Sequence, residues 1–215
     1  MKKLLIIGGN RGIGGSIVDR LNGSYEIISL NRTEKSFDII SSDFPEIEGI
    51  DAFVYCPGSI NLRPFSSLSL EDFQKDYEIN YLGFLKALKF YQKSFNPGAS
   101  ILAFSTVATQ KGMPFHTSIS SAKGALNGLV QSLAAEWAGK FRINAIAPSL
   151  VQTDLAKGIL RNDRVIERIT NNHPLKRLLT SDEIGAYAAF LLSDDAAGIS
   201  GQILTVDNGI IHLNT

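Results

Sequence analysis

Three glycines, Gly8, Gly12 and Gly14, stand in the spacing G-x-x-x-G-x-G directly after the apolar run "KKLLII". Glycines there allow a tight turn and let the backbone approach a bulky anion. The helix that follows adds free N–H groups and the positive end of its dipole. Such a strand–turn–helix is a cradle for the pyrophosphate of a dinucleotide, with Asn10, Arg11 and Ile13 completing the loop. A second feature lies after the next apolar run, "YEIISL", where the chain continues Asn31, Arg32. An acidic residue at that place would hold a ribose 2′-hydroxyl and repel a 2′-phosphate. Here Arg32, together with Arg11, offers planar guanidinium forks that pair with a phosphate. The expected cofactor is therefore NADP(H), with NAD(H) the lesser alternative. The third feature is "GMPFHTSISSAKGAL", residues 112 to 126, which holds Lys123, several hydroxyls and His116, one of three histidines. An imidazole titrates near neutrality, so this stretch is a candidate for proton handling.

Other polar and aromatic residues have simpler readings. Ser118, Ser120 and Ser121 suit capping or packing of a helix, since an unassisted hydroxyl is a poor acid. Tyr55, Tyr81 and Cys56 read as core residues. His173, in "NNHPL", reads as a loop-surface residue. Trp137 reads as packing at a helix end or in a subunit contact.

These residues need a frame. "KKLLIIGG", "YEIISL", "DAFVYC", "SILAFS", "RINAIA" and "QILTVD" are short apolar runs that end in turn residues, the pattern of strands buried on both faces. Between them lie stretches of helical period: "GIGGSIVDRL", the long "LSLEDFQKDYEINYLGFLKALKFYQKSF", residues 120 to 138, and "IGAYAAFLL". Ser69 with Asp72, and Thr180 with Glu183, have the spacing of capping boxes. The long helix should bury a stripe of Phe73, Tyr77, Tyr81, Phe84 or Leu85, and Leu88. Residues 150 to 179 have no single strong period and read as two short helices or a substrate lid, broken at Pro174. Strands alternating with helices imply an α/β fold: one Rossmann-like, doubly wound parallel sheet with helices on both faces, in a single domain over residues 1–215. In such sheets ligands bind outside the carboxyl ends of the strands, at the switch in strand order. The positions to watch are 8 to 14, 31 to 32, 55 to 58, 105 to 107 and 147 to 153.

Bulk composition excludes several classes. The chain has 215 residues, 44% hydrophobic and 20% charged, with formal net charge zero, so no global field recruits nucleic acid or an anionic membrane. One cysteine permits neither an internal disulfide nor a cysteine metal cluster, and no metal site is expected. No run is long enough for a membrane span, and the apolar run Leu4 to Ile7 is too short for a signal peptide. A cytoplasmic protein is expected, with a small-molecule substrate and neither nucleic acid nor membrane as partner.

With these motifs in place, the chain resembles the short-chain dehydrogenase/reductase family over essentially its whole length. "GGNRGIG" resembles that family's cofactor loop, and "EINYLGF" carries Asn80 where the family has a structural and catalytic asparagine. "RINAIAPSLVQTDL" is similar to the segment after the sixth strand, with Pro148, with Ser149 for the usual glycine, and with Thr153 near the nicotinamide amide and phosphates. "ISGQILTVDNG" resembles the C-terminal strand and turn. The resemblance implies that Lys123 bonds the nicotinamide ribose hydroxyls. It also implies a homodimer or homotetramer paired through the two long helices.

The chain departs from the family in three places. It is shorter, with the loss between residues 31 and 51, where "FDII" would be the remnant of a strand and Asp38 would lie near the adenine. The turn after the fourth strand is "YCPG", so Pro57 and Gly58 would line the cofactor by backbone alone. The family's catalytic serine aligns with Thr106, and its tyrosine, four residues before the lysine, aligns with Ile119. The resembling set is therefore Asn80, Thr106, Ile119 and Lys123, with no acid at its centre. His116 is a substitute donor. It lies seven residues before Lys123, similar to the tyrosine spacing of the family's enoyl-thioester reductase branch, and Pro114 two residues earlier is also similar. The expected function is an NADP(H)-dependent oxidoreductase that reduces a carbonyl or activated alkene of a small molecule, or runs the reverse oxidation. Thr106 would orient the substrate, Lys123 would hold the ribose, and His116 or a water would relay the proton. The alternative is a catalytically inactive dinucleotide-binding or scaffold member of the same fold.

Overall fold

Leu4, Leu5, Ile6 and Ile7 are all buried, so the first apolar run is covered on both faces, as a central parallel strand must be. The computed structural model describes residues 1–33 and 36–213. The chain runs through β1 (Lys2–Ile7), α1 (Gly12–Leu21), β2 (Tyr25–Leu30), β3 (Ile50–Tyr55) and α2 (Leu70–Tyr77). A π turn (Glu78–Leu82) leads into α3 (Gly83–Tyr91), β4 (Phe95–Phe104) and α4 (Thr117–Glu136). Then come β5 (Arg142–Pro148), β6 (Val151–Gln152), α5 (Asp163–Asn171), β7 (Leu179–Thr180), α6 (Ser181–Leu192) and β8 (Ile203–Val206). Six strands form one parallel sheet in the order β2-β1-β3-β4-β5-β8, and β6 pairs with β7 apart from it. The order switches at β1, which lies between β2 and β3, so the ligand crevice opens at the carboxyl ends of β1 and β3.

Alternation along each strand divides the core. Leu5, Ile7, Phe53, Tyr55 and Ile101 face α3 and α4, where Phe84, Leu88, Tyr91, Leu126 and Val130 are buried. Leu4, Ile6, Val54, Leu102 and Ile146 face α1 and α6, through Ile17, Leu21, Ile184, Ala188 and Leu191. Each leucine, isoleucine, valine or phenylalanine among them contributes about 1.5–3 kcal/mol of burial. Both predicted capping boxes are present, Ser69 with Asp72 and Thr180 with Glu183. Among the described residues no helix is long and apolar enough to cross a membrane.

Several expectations are corrected. "FDII" forms no strand. Asp38 folds into a turn, its backbone N–H donating to Ser42 Oγ and its carboxylate accepting from the Ile40 N–H. Phe37 packs against Phe44, which in turn meets Tyr91 edge-on. The long helix is interrupted by the π turn at 78–82, which inserts an extra residue into the turn and rotates the buried face. Asp76, Asn80, Gly83, Phe84 and Ala87 point inward, while Tyr77 is exposed and its ring meets Tyr81 at a tilt. α4 starts at Thr117, earlier than the spacing predicted. His173, expected on the surface, is buried.

Candidate active site

The glycine loop is shaped by sterics. Gly8 has φ +82° and Gly12 φ +53°, the left-handed region that favours glycine. A Cβ on Gly14 would stand 2.1 Å from the Gly8 carbonyl oxygen, so the first turn of α1 can only close on the loop without a side chain there. A Cβ on Gly8 would meet Cys56 Cβ at 3.3 Å and Pro57 Cδ at 3.4 Å, so the loops after β1 and β3 are in contact. Arg11 occupies the N-cap of α1 with an extended backbone, and its side chain makes no capping bond. Ile13 is half-buried and packs on the α1–α6 side of the core. Asn10 Nδ2 donates to Thr33 Oγ1 at 3.1 Å, tying the glycine loop to the turn after β2. In that turn the Asn31 side chain accepts from the Thr33 N–H and donates to Ser29 Oγ, while Arg32 is exposed. Arg11 and Arg32 thus both stand exposed at the open edge of the crevice.

The opposite wall comes from the carboxyl ends of β3, β4 and β5. Asn80 is fully buried in the π turn. The turn leaves the Ile79 carbonyl to the Tyr55 hydroxyl, which donates to it at 2.6 Å. Asn80 Nδ2 donates to Ser59 Oγ and to the Asp76 carbonyl, each at 2.9 Å. Gly58 lies directly over this amide, since a Cβ on it would stand 3.4 Å from Asn80 Oδ1. Thr106, half-buried after β4, caps the 3-10 turn Val107–Thr109, its Oγ1 accepting from the Ala108 N–H at 3.3 Å. Its hydroxyl hydrogen stays available for donation.

Lys123 is 6% exposed on α4 and makes no hydrogen bond or ion pair among the described residues. Burial pulls its ammonium down from 10.5 to about 8, and the Cys56 thiol and the Asp76 carboxylate oppose that shift. A buried ammonium with three unused donors is a site for hydroxyl acceptors. It lies beyond the end of β3, whose Cys56 thiol is pushed upward by burial. One turn earlier on α4 is Ile119, also buried, so hydrocarbon fills that place.

His116 sits at the N-terminus of α4, half-buried. Its Nδ1 lies 2.7 Å from the Pro114 carbonyl, which can only accept, so Nδ1 carries the hydrogen and Nε2 is the basic nitrogen of the neutral ring. Phe115 beside it has φ +69°, a strained conformation for a non-glycine residue. Among the described residues His116 makes no hydrogen bond to Thr106 or Lys123.

Residues 148 to 178 close the site from the α1–α6 side. Pro148 ends β5 against Val206 of β8. A Cβ on Gly12 would meet Thr153 Cγ2 at 3.5 Å, and one on Gly58 would meet Leu155 at 4.0 Å, so this segment touches the loops after both β1 and β3. A cleft of about 1040 Å³ lies between the glycine loop and this segment, lined in part by Arg11, Gly12, Ser16, Thr153, Asp154 and Lys157. Thr106, His116 and Lys123 are not in its walls.

Two groupings were not read from the sequence. His173 Nδ1 bonds the Ile169 carbonyl at 2.8 Å, and its Nε2 lies 3.1 Å from Ser149 Oγ. The carbonyl fixes the neutral tautomer with hydrogen on Nδ1, so Ser149 donates to Nε2. The second is Asp76, a buried carboxylate bonded by Ser59 and Ser118. Its signal was present in the chain, since Asp76 and Asn80 are four apart and fall on one helix face.

The site fits a nicotinamide dinucleotide. The Gly8–Gly14 cradle admits a pyrophosphate where side chains would block it. Unpaired Lys123 suits the vicinal hydroxyls of a ribose. The comparisons agree. The family described as enoyl-(acyl carrier protein) reductase matches residues 26–211. The chain is 32% identical over 163 residues to the 7alpha-hydroxysteroid dehydrogenase of Escherichia coli K12, covering 74% of this chain and 63% of that protein, short of two thirds of its length. It is 27% identical over 176 residues to the enoyl-acyl-carrier-protein reductase (NADH) of Salmonella typhimurium, covering 80% of this chain and 67% of that one. In fold it is similar to a putative 2-deoxy-D-gluconate 3-dehydrogenase from Agrobacterium tumefaciens solved with bound NADP, at TM-score 0.88 and 22% identity, over 98% of this chain and 96% of that one.

Proposed function

The chain belongs to the short-chain dehydrogenase/reductase family, and from that premise we propose that it is an NADP(H)-dependent oxidoreductase that reduces a carbonyl or activated alkene of a small molecule, or runs the reverse oxidation. The observation that carries this reading is Lys123, a buried ammonium with no hydrogen bond or ion pair among the described residues, set beyond the strand ends across from a glycine cradle. A nicotinamide dinucleotide bound there supplies the hydride. Lys123 holds its ribose hydroxyls, and Gly8, Gly12, Gly14 and the N–H groups at the start of α1 hold its pyrophosphate. Pro57, Gly58, Pro148 and Thr153 line its nicotinamide half. Thr106 donates to the substrate oxygen, and Asn80 holds the loop after β3 in place. His116, through its basic Nε2, or a water carries the proton.

The preference for NADP(H) rests on Arg11 and Arg32, two exposed guanidiniums on loops joined by the Asn10–Thr33 bond. A relative whose name specifies NADH and a structural neighbour holding NADP leave the choice to these two side chains. Residues 150–179 act as the substrate lid in this reading. The named relatives are all dehydrogenases or reductases, which favours turnover over a scaffold role. His116 stands at the tyrosine spacing of the enoyl reductases, so an activated alkene is the first substrate class to try. We further propose a cytoplasmic homodimer or homotetramer paired through α2, α3 and α4, to be checked by light scattering.

The test is a fluorescence titration with NADPH and, in parallel, NADH. NADPH should bind at least about tenfold more tightly, and the double change Arg11→Ala, Arg32→Ala should erase that difference. Equal binding of both by the unaltered protein would refute the phosphate role. Binding of neither would refute the cofactor reading. Given turnover, His116→Ala should lower the rate by about 10²-fold or more with cofactor affinity retained, and an unchanged rate would assign the proton to water.

A further inference from the structure

Asp76 is 2% exposed and lies on α2, four residues before Asn80. Two hydroxyls from separate parts of the site occupy its carboxylate. Ser59 Oγ donates to Oδ1 at 2.5 Å and Ser118 Oγ to Oδ2 at 2.7 Å. Ser59 follows Gly58 in the loop after β3, and Ser118 precedes Ile119 in the first turn of α4. Asn80 closes the ring, donating to Ser59 Oγ and to the Asp76 backbone carbonyl. Asp76 joins no ion pair among the described residues.

A carboxylate buried among hydroxyls alone is costly unless a positive charge lies within its field. Lys123 is that charge, buried five residues after Ser118 on the same helix. Two ionisable groups act on it: the Cys56 thiol from the end of β3 and Asp76 from α2. Burial keeps the thiol neutral, and both Asp76 oxygens accept from hydroxyls, the pattern of an ionised carboxylate, so Asp76 is the negative group of the two.

We infer that Asp76 is a positioning residue of this site: it locks the loop after β3, the Asn80 turn and the first turn of α4 into one unit, and it supplies the counter-charge of the Lys123 ammonium. The inference rests on the proposed role of Lys123 in holding the cofactor ribose.

Asp76→Asn keeps the shape and an acceptor while removing the charge. Without its neighbour, Lys123 loses its proton at lower pH. NADPH affinity of the variant, measured relative to the unaltered protein from pH 6 to 9, should therefore worsen as pH rises, by about threefold between pH 6 and pH 8. A loss equal at every pH would leave Asp76 a packing role alone and overturn the proposal. Should the variant not fold, the unaltered protein carries an equivalent test. With carboxyl-¹³C aspartate, one buried aspartate signal should step at the Lys123 midpoint, near pH 8, and the step should vanish in Lys123→Met. Absence of that step overturns the coupling. This titration uses the free protein, so a failure to bind NADPH or NADH would sink the cofactor reading and leave the Asp76 test standing.

Discussion

Ile119 stands one helical turn before Lys123 on α4, and the two side chains, 5% and 6% exposed, share the buried face of that helix. The place beside the ammonium is therefore hydrocarbon. A phenol there would lie next to a positive charge, the arrangement that makes a hydroxyl a usable acid. Ile119→Tyr should raise NADPH-dependent reduction of a panel of small ketones at least about tenfold, at an overpacking cost of about 1–3 kcal/mol. If the variant folds and binds cofactor but its rate is unchanged, a missing donor at 119 is not what limits carbonyl reduction.

The depressed ammonium of Lys123 has a stability consequence with a definite sign. Below pH 8 the lysine is charged in both folded and unfolded chains, and the folded state bears the full cost of burying that charge. Between about pH 8 and 10.5 the folded chain gives up the proton first, and stability from this group rises with pH. Lys123→Met should thus raise stability at pH 7 by up to about 3 kcal/mol, with the gain shrinking toward pH 10, while cofactor affinity falls by tenfold or more. Urea unfolding at several pH values reads the first effect and NADPH titration the second. A Met variant that is less stable at pH 7 would mean that leaving the Asp76 carboxylate without its counter-charge outweighs relief of the buried ammonium.

Gly14→Ala places a methyl group 2.1 Å from the Gly8 carbonyl oxygen, against backbone that has no room to yield. The loop must open, so a loss of at least about 2 kcal/mol and of cofactor binding together is expected. Gly15→Ala is the control. A Cβ at Gly15 meets nothing closer than 3.6 Å, so it should alter neither by much.

The Ser149–His173 bond joins the end of β5 to the turn that follows α5. His173→Ala strands the Ser149 hydroxyl and removes one of the bonds to the Ile169 carbonyl, which keeps that from the Asn172 N–H, and should cost about 1–2 kcal/mol. Limited proteolysis should then cut within residues 153–172 sooner than in the unaltered protein. Unchanged cleavage would show that other contacts hold this segment.

Much of the site was legible because its signals are local. The glycine loop follows from three glycines within seven residues, and Lys123 from its place on a helix whose period is visible. The capping boxes at Ser69 and Thr180 each span four residues, and both formed. The errors came where a distant contact decided. Along the long helix the spacing of the buried face was legible but its phase was not: Asp76 and Asn80 point inward and Tyr77 outward, because Ser59 and Ser118, 17 and 42 residues away, satisfy the Asp76 carboxylate. "FDII" had a strand's composition, but Phe37 found an aromatic cluster with Phe44 and Tyr91 instead of a neighbouring strand.

The sequence by itself determined the α/β alternation, the parallel sheet buried on both faces, the glycine loop at its switch point and the absence of a phenol four residues before Lys123. Each of these depends on residue types a few positions apart, where backbone geometry alone sets which side chains share a face. The tertiary structure decided what surrounds Lys123. Asp76 and Ser118 are 42 residues apart and Ser149 and His173 are 24 apart, and both pairs meet only because β3, β4 and β5 lie side by side with their helices packed over them. Burial then sets the charges: the same lysine that would titrate at 10.5 in water is brought to about 8 by the packing of α4 on the sheet.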